Sequence, residues 1–175
     1  GARLFSPSRF LPHAFRFFPS ASCHDGDGPM SLSAKRVAII GGGPAGLMAA
    51  EKLSEAGAQV DVFDAMPSVG RKFLMAGRGG LNLTHSEPAQ PFLARFGDRA
   101  PFVQPCLQTM DGAGLRAWAH ALGIQTFVGS SGRVFPQEMK AAPLLRAWLA
   151  RLRGQGVRFH MRHRWLGWGD SKAGV

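Results

Sequence analysis

From Lys35 onward the chain alternates regularly between apolar and polar stretches. Val37-Ala38-Ile39-Ile40 is a short continuous apolar run, the pattern of a strand buried on both faces of a parallel sheet. Gly41-Gly42-Gly43 ends it. A helix is predicted over 44–56, with Gly46, Ala49, Ala50 and Leu53 on one stripe and Gly57 as its stop. Val60, Val62 and Phe63 then predict a second strand. Strand, helix and strand in close succession make a βαβ unit, whose crossover is expected to be right-handed.

Residues 65–90 are punctuated by Pro67, Gly70, Gly77, Gly79, Gly80 and Pro88, too often for a long regular element, and read as a long functional loop with one helical turn. The next helix is predicted over 111–122, with Asp111 as N-cap, Leu115, Trp118, Ala119 and Leu122 inward, and Gly123 as its stop. Segments 126–128 and 133–135 predict a small hairpin around Gly129-Ser130-Ser131-Gly132. Pro143 opens a further helix on which Leu144, Leu145, Trp148, Leu149 and Leu152 form an apolar stripe and Arg146 and Arg153 stay wet. From Val157, alternation puts Val157, Phe159 and Met161 on one face of a strand and Arg158, His160 and Arg162 on the other.

At 175 residues the chain holds one ordinary domain, or one domain with an extension, and not two large ones. With 45% hydrophobic and 18% charged residues it can bury a core, so wholesale disorder is not expected. No apolar stretch approaches the ~20 residues of a membrane span. The two cysteines, Cys23 and Cys106, exclude a disulfide-dense scaffold and a four-cysteine zinc site, and a reduced, cytoplasmic protein is expected. None of the six histidines has the helical spacing of a metal ligand pair, so no metal is expected. Residues 1–29 are rich in Pro, Ser, Phe and Arg and carry no acid before Asp25. They read as a disordered or upstream-translated leader ahead of Met30, with a mitochondrial transit peptide as the alternative.

The formal charge of +10 points by itself to nucleic acid, an acidic membrane surface or an anionic ligand. The distribution weakens the first of these. Arg146, Arg151, Arg153, Arg158, Arg162 and Arg164 are largely what an amphipathic helix and an alternating strand leave on their wet faces, whereas Trp148 and Phe159 fall on the apolar ones, where they cannot stack bases beside those arginines. The expected partner is therefore a small-molecule substrate, with no nucleic acid and no membrane.

The chemistry-bearing segment is Gly41-x-Gly43-x-x-Gly46, placed after a strand and at the start of a helix, with Asp64 at the end of the next strand. Gly41 permits the tight turn, Gly43 lets a pyrophosphate approach the backbone, and Gly46 lets the helix pack closely on the sheet. Pro44 and Ala45 then begin a helix whose N-terminus favours a phosphate. Asp64 is placed to accept hydrogen bonds from ribose hydroxyls. The alternative is a glycine-rich turn of an unrelated α/β protein, with Asp64 a mere strand-end residue. The expected fold class is α/β with a parallel sheet, a Rossmann-like domain for an adenine dinucleotide, FAD or NAD(P).

The stretch resembles the N-terminal FAD-binding βαβ of the glutathione-reductase-like flavoproteins. Gly70-Arg71-Lys72, then Ala76-Gly77-Arg78-Gly79-Gly80-Leu81-Asn82-Leu83-Thr84-His85, and Gly132-Arg133-Val134-Phe135-Pro136 with Lys140-Ala141, resemble a bacterial family of NAD(P)/FAD-dependent oxidoreductases over about residues 36–168. That resemblance implies FAD bound by the first glycine loop and Asp64, with NAD(P)H a candidate electron donor. It also implies Arg71 and Lys72 near the phosphates or adenylate, and a 77–84 loop passing close to the flavin. There Gly79 and Gly80 would give close backbone approach, and Asn82 and Thr84 would hydrogen-bond the ligand. The bland alternatives are a solvated pair for Arg71 and Lys72 and local turn chemistry for Asn82 and Thr84.

Three departures qualify the resemblance. Disulfide reductases of the wider superfamily carry a cysteine pair shortly after the second strand, and this chain has none there, which excludes dithiol chemistry. Many nearer relatives have Arg-Cys-Asn where this chain has Gly80-Leu81-Asn82, so only Asn82 carries over directly. Family members are also longer, so residues 30–175 read as the N-terminal portion of an FAD-binding domain, incomplete at the C-terminus. The expected function is an FAD-dependent oxidoreductase working by hydride transfer. A non-catalytic nucleotide-binding fragment, a basic nucleic-acid-binding protein and an NAD-only Rossmann enzyme are the alternatives.

Overall fold

The computed structural model describes Arg3–Leu4 and residues 35–76 and 79–167. Apart from Arg3–Leu4, the expected leader lies outside the described residues, as do Gly77, Arg78 and Trp168. In chain order the elements begin β1 (Arg3–Leu4), β2 (Arg36–Ile40), α1 (Pro44–Glu55), β3 (Gln59–Asp64), α2 (Arg71–Ala76), β4 (Thr84–His85) and α3 (Ala89–Ala94). They continue, after a 3₁₀ turn at Gly97–Arg99, as α4 (Ala100–Thr109), α5 (Gly112–Ala121), β5 (Thr126–Val128), β6 (Arg133–Pro136), α6 (Ala141–Gly154), β7 (Arg158–Met161) and β8 (His163–Arg164). The chain divides into two compact units, Gly1–Val69 with Gln155–Val175, and Gly70–Gly154.

The first unit contains the predicted βαβ. Its parallel sheet has the order β2-β3-β7, with Ile39 opposite Val62 and Val62 opposite Phe159. Beside it β1 pairs in parallel with β8. Strand β3, paired on both sides, is buried from Val60 to Phe63, and Leu47 and Ala50 of α1 are fully buried. Burying side chains such as Val62 and Leu47 contributes roughly 1.5–3 kcal/mol each. Gly57, at φ 89, ends the helix as expected.

Two expectations for this unit need correction. Strand β2 is not buried on both faces: Val37 and Ile39 are half-buried, while Ala38 and Ile40 alternate to a face left open among the described residues, Ile40 being 52% exposed. The buried stripe of α1 is Leu47, Ala50 and Glu51, whereas Ala49 is exposed and Gly46 and Leu53 are half-buried. The i, i+3, i+4 set that faces inward starts at Leu47, one residue after the glycine that makes the close approach.

The second unit carries the antiparallel sheet β4-β6-β5. Its core gathers Leu81, Ala119, Ala141 and Leu144, with Phe73, Leu83, Trp118, Leu122 and Ile124 packed against them. Trp148 of α6 meets Trp118 edge-on, ring centroids 4.8 Å apart. The α5 cap forms as expected, the Asp111 carboxylate accepting from Gly114 N–H at 2.7 Å. The hairpin also forms as expected, while α6 starts at Ala141, ahead of Pro143. Proline is tolerated in a first turn, where its missing N–H has no helical partner to lose.

Residues 65–90 hold more structure than one turn of helix: α2, β4 and the start of α3. Helices α3 and α4 were not expected at all. Neither buries a residue, and α4 carries Pro105 inside it and exposes Phe102 at 82%, so no apolar stripe marks them in the sequence.

Candidate nucleotide-binding site

The predicted site residues divide between the two units. In the first, the turn between β2 and α1 brings Gly41, Gly43, Pro44, Ala45, Gly46 and Asp64 together. Gly41 takes φ +104, a conformation glycine adopts without strain, and its amide extends the sheet by donating to Phe63 O at 2.8 Å. Gly46 makes the closest approach: a Cβ there would lie 2.0 Å from Gly41 O and 3.3 Å from Ile39 Cγ2. This is the helix-on-strand packing that the third glycine of the motif was expected to allow. Gly42, not singled out by the motif, is constrained as tightly, since a Cβ would fall 2.2 Å from Val69 Cγ1. Beside Gly43 a Cβ would meet nothing within 4 Å, so this side of the turn is open.

The start of α1 is electrostatically prepared for an anion. Gly43 is its N-cap in extended conformation, no side chain caps the first turn, Pro44 sits at its first position, and no acidic residue lies in that turn. Exposed amide groups and the positive end of the helix dipole then favour negative charge, by about 0.3–1 kcal/mol at a surface and up to ~2 when partly buried.

Asp64 does more than wait for a ribose. Its Oδ2 accepts from Gly42 N–H at 2.7 Å and its Oδ1 from Met66 N–H at 2.8 Å. The carboxylate therefore ties the glycine turn to the end of β3, and each oxygen retains further acceptor capacity for a hydroxyl.

The remaining predicted residues belong to the second unit. Arg71 and Lys72 are exposed on the first turn of α2 and make no ion pair among the described residues. Gly79 is exposed, Gly80 takes φ +119, and Asn82 is exposed just before β4. Thr84 lies in β4 opposite Val134. The structure thus joins two segments singled out separately in the sequence: Leu83 N–H donates to Val134 O and Ser86 N–H to Gly132 O, both at 2.8 Å. His85 seals that junction, its ring packed over Gly132, with Nε2 on Ser131 O at 2.9 Å and Nδ1 accepting from Glu87 N–H at 3.1 Å. That arrangement assigns the proton to Nε2.

Sequence reasoning missed a polar cluster on β2, β3 and β7. Asp61, 8% exposed, accepts from Arg158 Nε at 2.9 Å and Nη2 at 2.6 Å and is bonded by His160 Nε2 at 2.7 Å, with Arg36 Nη2 3.7 Å away. The His160 ring stacks on Phe63 at 4.5 Å. Burial raises the Asp61 carboxyl's pKa, but hydrogen bonds and charge from Arg158 and His160 outweigh it and hold the group below its ordinary value. A lone aspartate between Val60 and Val62 was the available signal. Its partners lie some hundred residues away, so only the β3–β7 register reveals them.

A glycine turn at the first βα junction of a parallel sheet, with an acid at the end of the next strand, defines a nucleotide-binding Rossmann domain. A model of the HI0933-like protein Rossmann domain matches residues 35–175, and the chain belongs to that family, one of FAD-binding oxidoreductases. The chain is 49% identical over 49 residues to the ribosomal RNA dihydrouridine synthase of Haemophilus influenzae, covering 28% of this chain and 12% of that protein. It is 29% identical over 127 residues to the 3-dehydro-bile acid delta(4,6)-reductase of Clostridium scindens, covering 71% of this chain and 30% of the reductase. It therefore spans less than a third of the length of these relatives. Among solved structures, THI4 of Thermovibrio ammonificans aligns with a TM-score of 0.45 at 19% identity, over 75% of this chain and 39% of that one. Among the described residues no helix is long and apolar enough to cross a membrane.

Proposed function

We propose that this chain is the FAD-binding portion of a flavin-dependent oxidoreductase. The observation that carries the reading is the turn at 41–46: an uncapped, acid-free helix N-terminus beside the open flank of Gly43, with a carboxylate at the end of the adjacent strand. These residues fit an adenine dinucleotide, with the pyrophosphate on the amides of Gly43, Ala45 and Gly46 and a ribose hydroxyl on Asp64. Arg71, Lys72, Gly79, Gly80, Asn82 and Thr84 carry over as further ligand contacts from the family resemblance. When bound, FAD supplies two-electron chemistry at its ring, with NAD(P)H a candidate donor. The chain supplies binding, orientation and electrostatics. One relative is named a reductase and the other is named for a dihydro product, so reduction of an unsaturated substrate is the reaction to assay first.

The test is a titration of the purified chain with FAD, FMN, ADP and NAD(P)H. An adenylate-reading site binds FAD and ADP and leaves FMN free. Tight FMN binding with no response to ADP would overturn the reading. A second reading, an RNA substrate, is favoured by the net charge of +10 and by the name of the Haemophilus relative. Against it, Arg158, one of the C-terminal arginines, is paired with Asp61. A salt-dependent shift of ribosomal RNA by the FAD-loaded chain would reverse that preference.

A further inference from the structure

We propose that Met139 is a positioning residue that holds the 79–82 loop in the shape that presents Asn82. The proposal rests on the reading above, in which this loop touches the ligand. Met139 is one of only two non-glycine residues with positive φ among the described residues, at φ 60. Such a conformation persists where its surroundings over-determine it. Three contacts do so. Its N–H donates to Pro136 O at 2.8 Å, its carbonyl accepts from Leu81 N–H at 2.9 Å, and its side chain lies against Gly80, with Cε 2.7 Å from where a Cβ on that glycine would stand.

These contacts fall on consecutive residues of the loop. Gly80, at φ +119, is pressed by the methionine thioether, and Leu81 is held through its amide and buried at 4% exposure. Leu83 is fixed by its bond to Val134 O. Asn82 is thus gripped on both sides through its neighbours while remaining exposed itself. A loop that needed only to be stable would place glycine or asparagine at position 139, where either adopts φ 60 readily. Methionine there accepts strain in exchange for a side chain that reaches Gly80.

The separating variant is Met139→Gly, which relieves the strain and deletes the prop, with Met139→Leu as the conservative control. For Met139→Gly we expect a urea midpoint no lower than wild type, faster amide exchange at Leu81 and Asn82, and FAD affinity weaker by about tenfold, or ~1.4 kcal/mol. For Met139→Leu we expect affinity within about twofold of wild type, because bulk against Gly80 is kept. A loss of affinity without a loss of stability is what a merely structural role would not produce. A wild-type chain that binds FAD alongside a Met139→Gly chain that binds it equally overturns the proposal alone, as does an affinity loss that tracks a fall in stability. A wild-type chain that fails to bind FAD overturns the cofactor reading and the proposal with it.

Discussion

Replacing Gly46 by alanine tests whether the βαβ turn packs as described. The substitution puts a methyl group 2.0 Å from Gly41 O and 3.2 Å from Gly41 C. Neither is the end of a flexible side chain, and the Gly41 amide is itself tied to Phe63 O, so relief requires α1 to move off the sheet. Alanine gains up to about 1 kcal/mol over glycine in helix propensity. Overpacking costs about 1–3 kcal/mol, and a backbone contact belongs at the upper end of that range or beyond. The net expectation is a loss of roughly 2 kcal/mol, a urea midpoint lowered by about 1 M for a slope near 2 kcal/mol/M. Gly43→Ala is the control, because its Cβ enters open space and its φ of −78 suits any residue; its stability is expected within about 0.5 kcal/mol of wild type. Urea unfolding followed by far-ultraviolet circular dichroism compares the two. Equal midpoints for Gly46→Ala and Gly43→Ala would refute the packing.

Asp61→Asn is expected to cost about 1–3 kcal/mol at neutral pH, because it strips a buried acceptor from Arg158 and His160. The Asp61 pKa is lower in the folded state, so its stabilisation is full above the unfolded value and drains away as pH falls through the folded one. The gap between wild type and Asp61→Asn in urea midpoint should accordingly close in acid; a gap constant with pH would contradict the assignment. Asp111→Ala removes the cap on Gly114 N–H and is expected to lower stability by about 1 kcal/mol, read by thermal melting. Leu144→Ala opens a cavity in the core of the second unit and is expected to cost about 2–5 kcal/mol, the same melting experiment checking it.

Legibility in the sequence followed the range of the interactions involved. The β2–α1–β3 unit was readable because strand, glycine turn and helix cap lie next to one another, and α5 because Asp111 and Gly123 bracket its apolar stripe. On β7 alternation separated Arg158 and His160 from Phe159 and Met161, but the first pair bonds the buried Asp61 instead of forming a wet face, and Arg162, at φ 61, lies beyond the strand. What escaped notice depends on distant or absent partners. The two-residue strand β4 exists only because β6 pairs with it across about fifty positions, and the Asp61 cluster only because β7 lies beside β3. Helices α3 and α4 bury nothing, so they leave no periodic signal. The glycines of the candidate site were readable as a motif, but their separate duties were not. The structure divides them into a close approach at Gly46, an equally tight one at Gly42 against Val69, and an open flank at Gly43. Asp64 was read as a ribose contact, and its hold on Gly42 and Met66 came from the fold.

The central claim is that the open flank of Gly43 at the start of α1 receives the pyrophosphate of FAD. Titrating FAD into the wild-type chain and into Gly43→Asp, with flavin absorbance and tryptophan fluorescence as readouts, tests it most directly. The account expects saturable one-to-one binding by wild type. It expects at least about tenfold weaker binding by Gly43→Asp with circular dichroism unchanged, because a carboxylate would stand where the phosphate belongs. A natively folded wild-type chain that binds no FAD, or a Gly43→Asp chain that binds it as tightly as wild type, would contradict it.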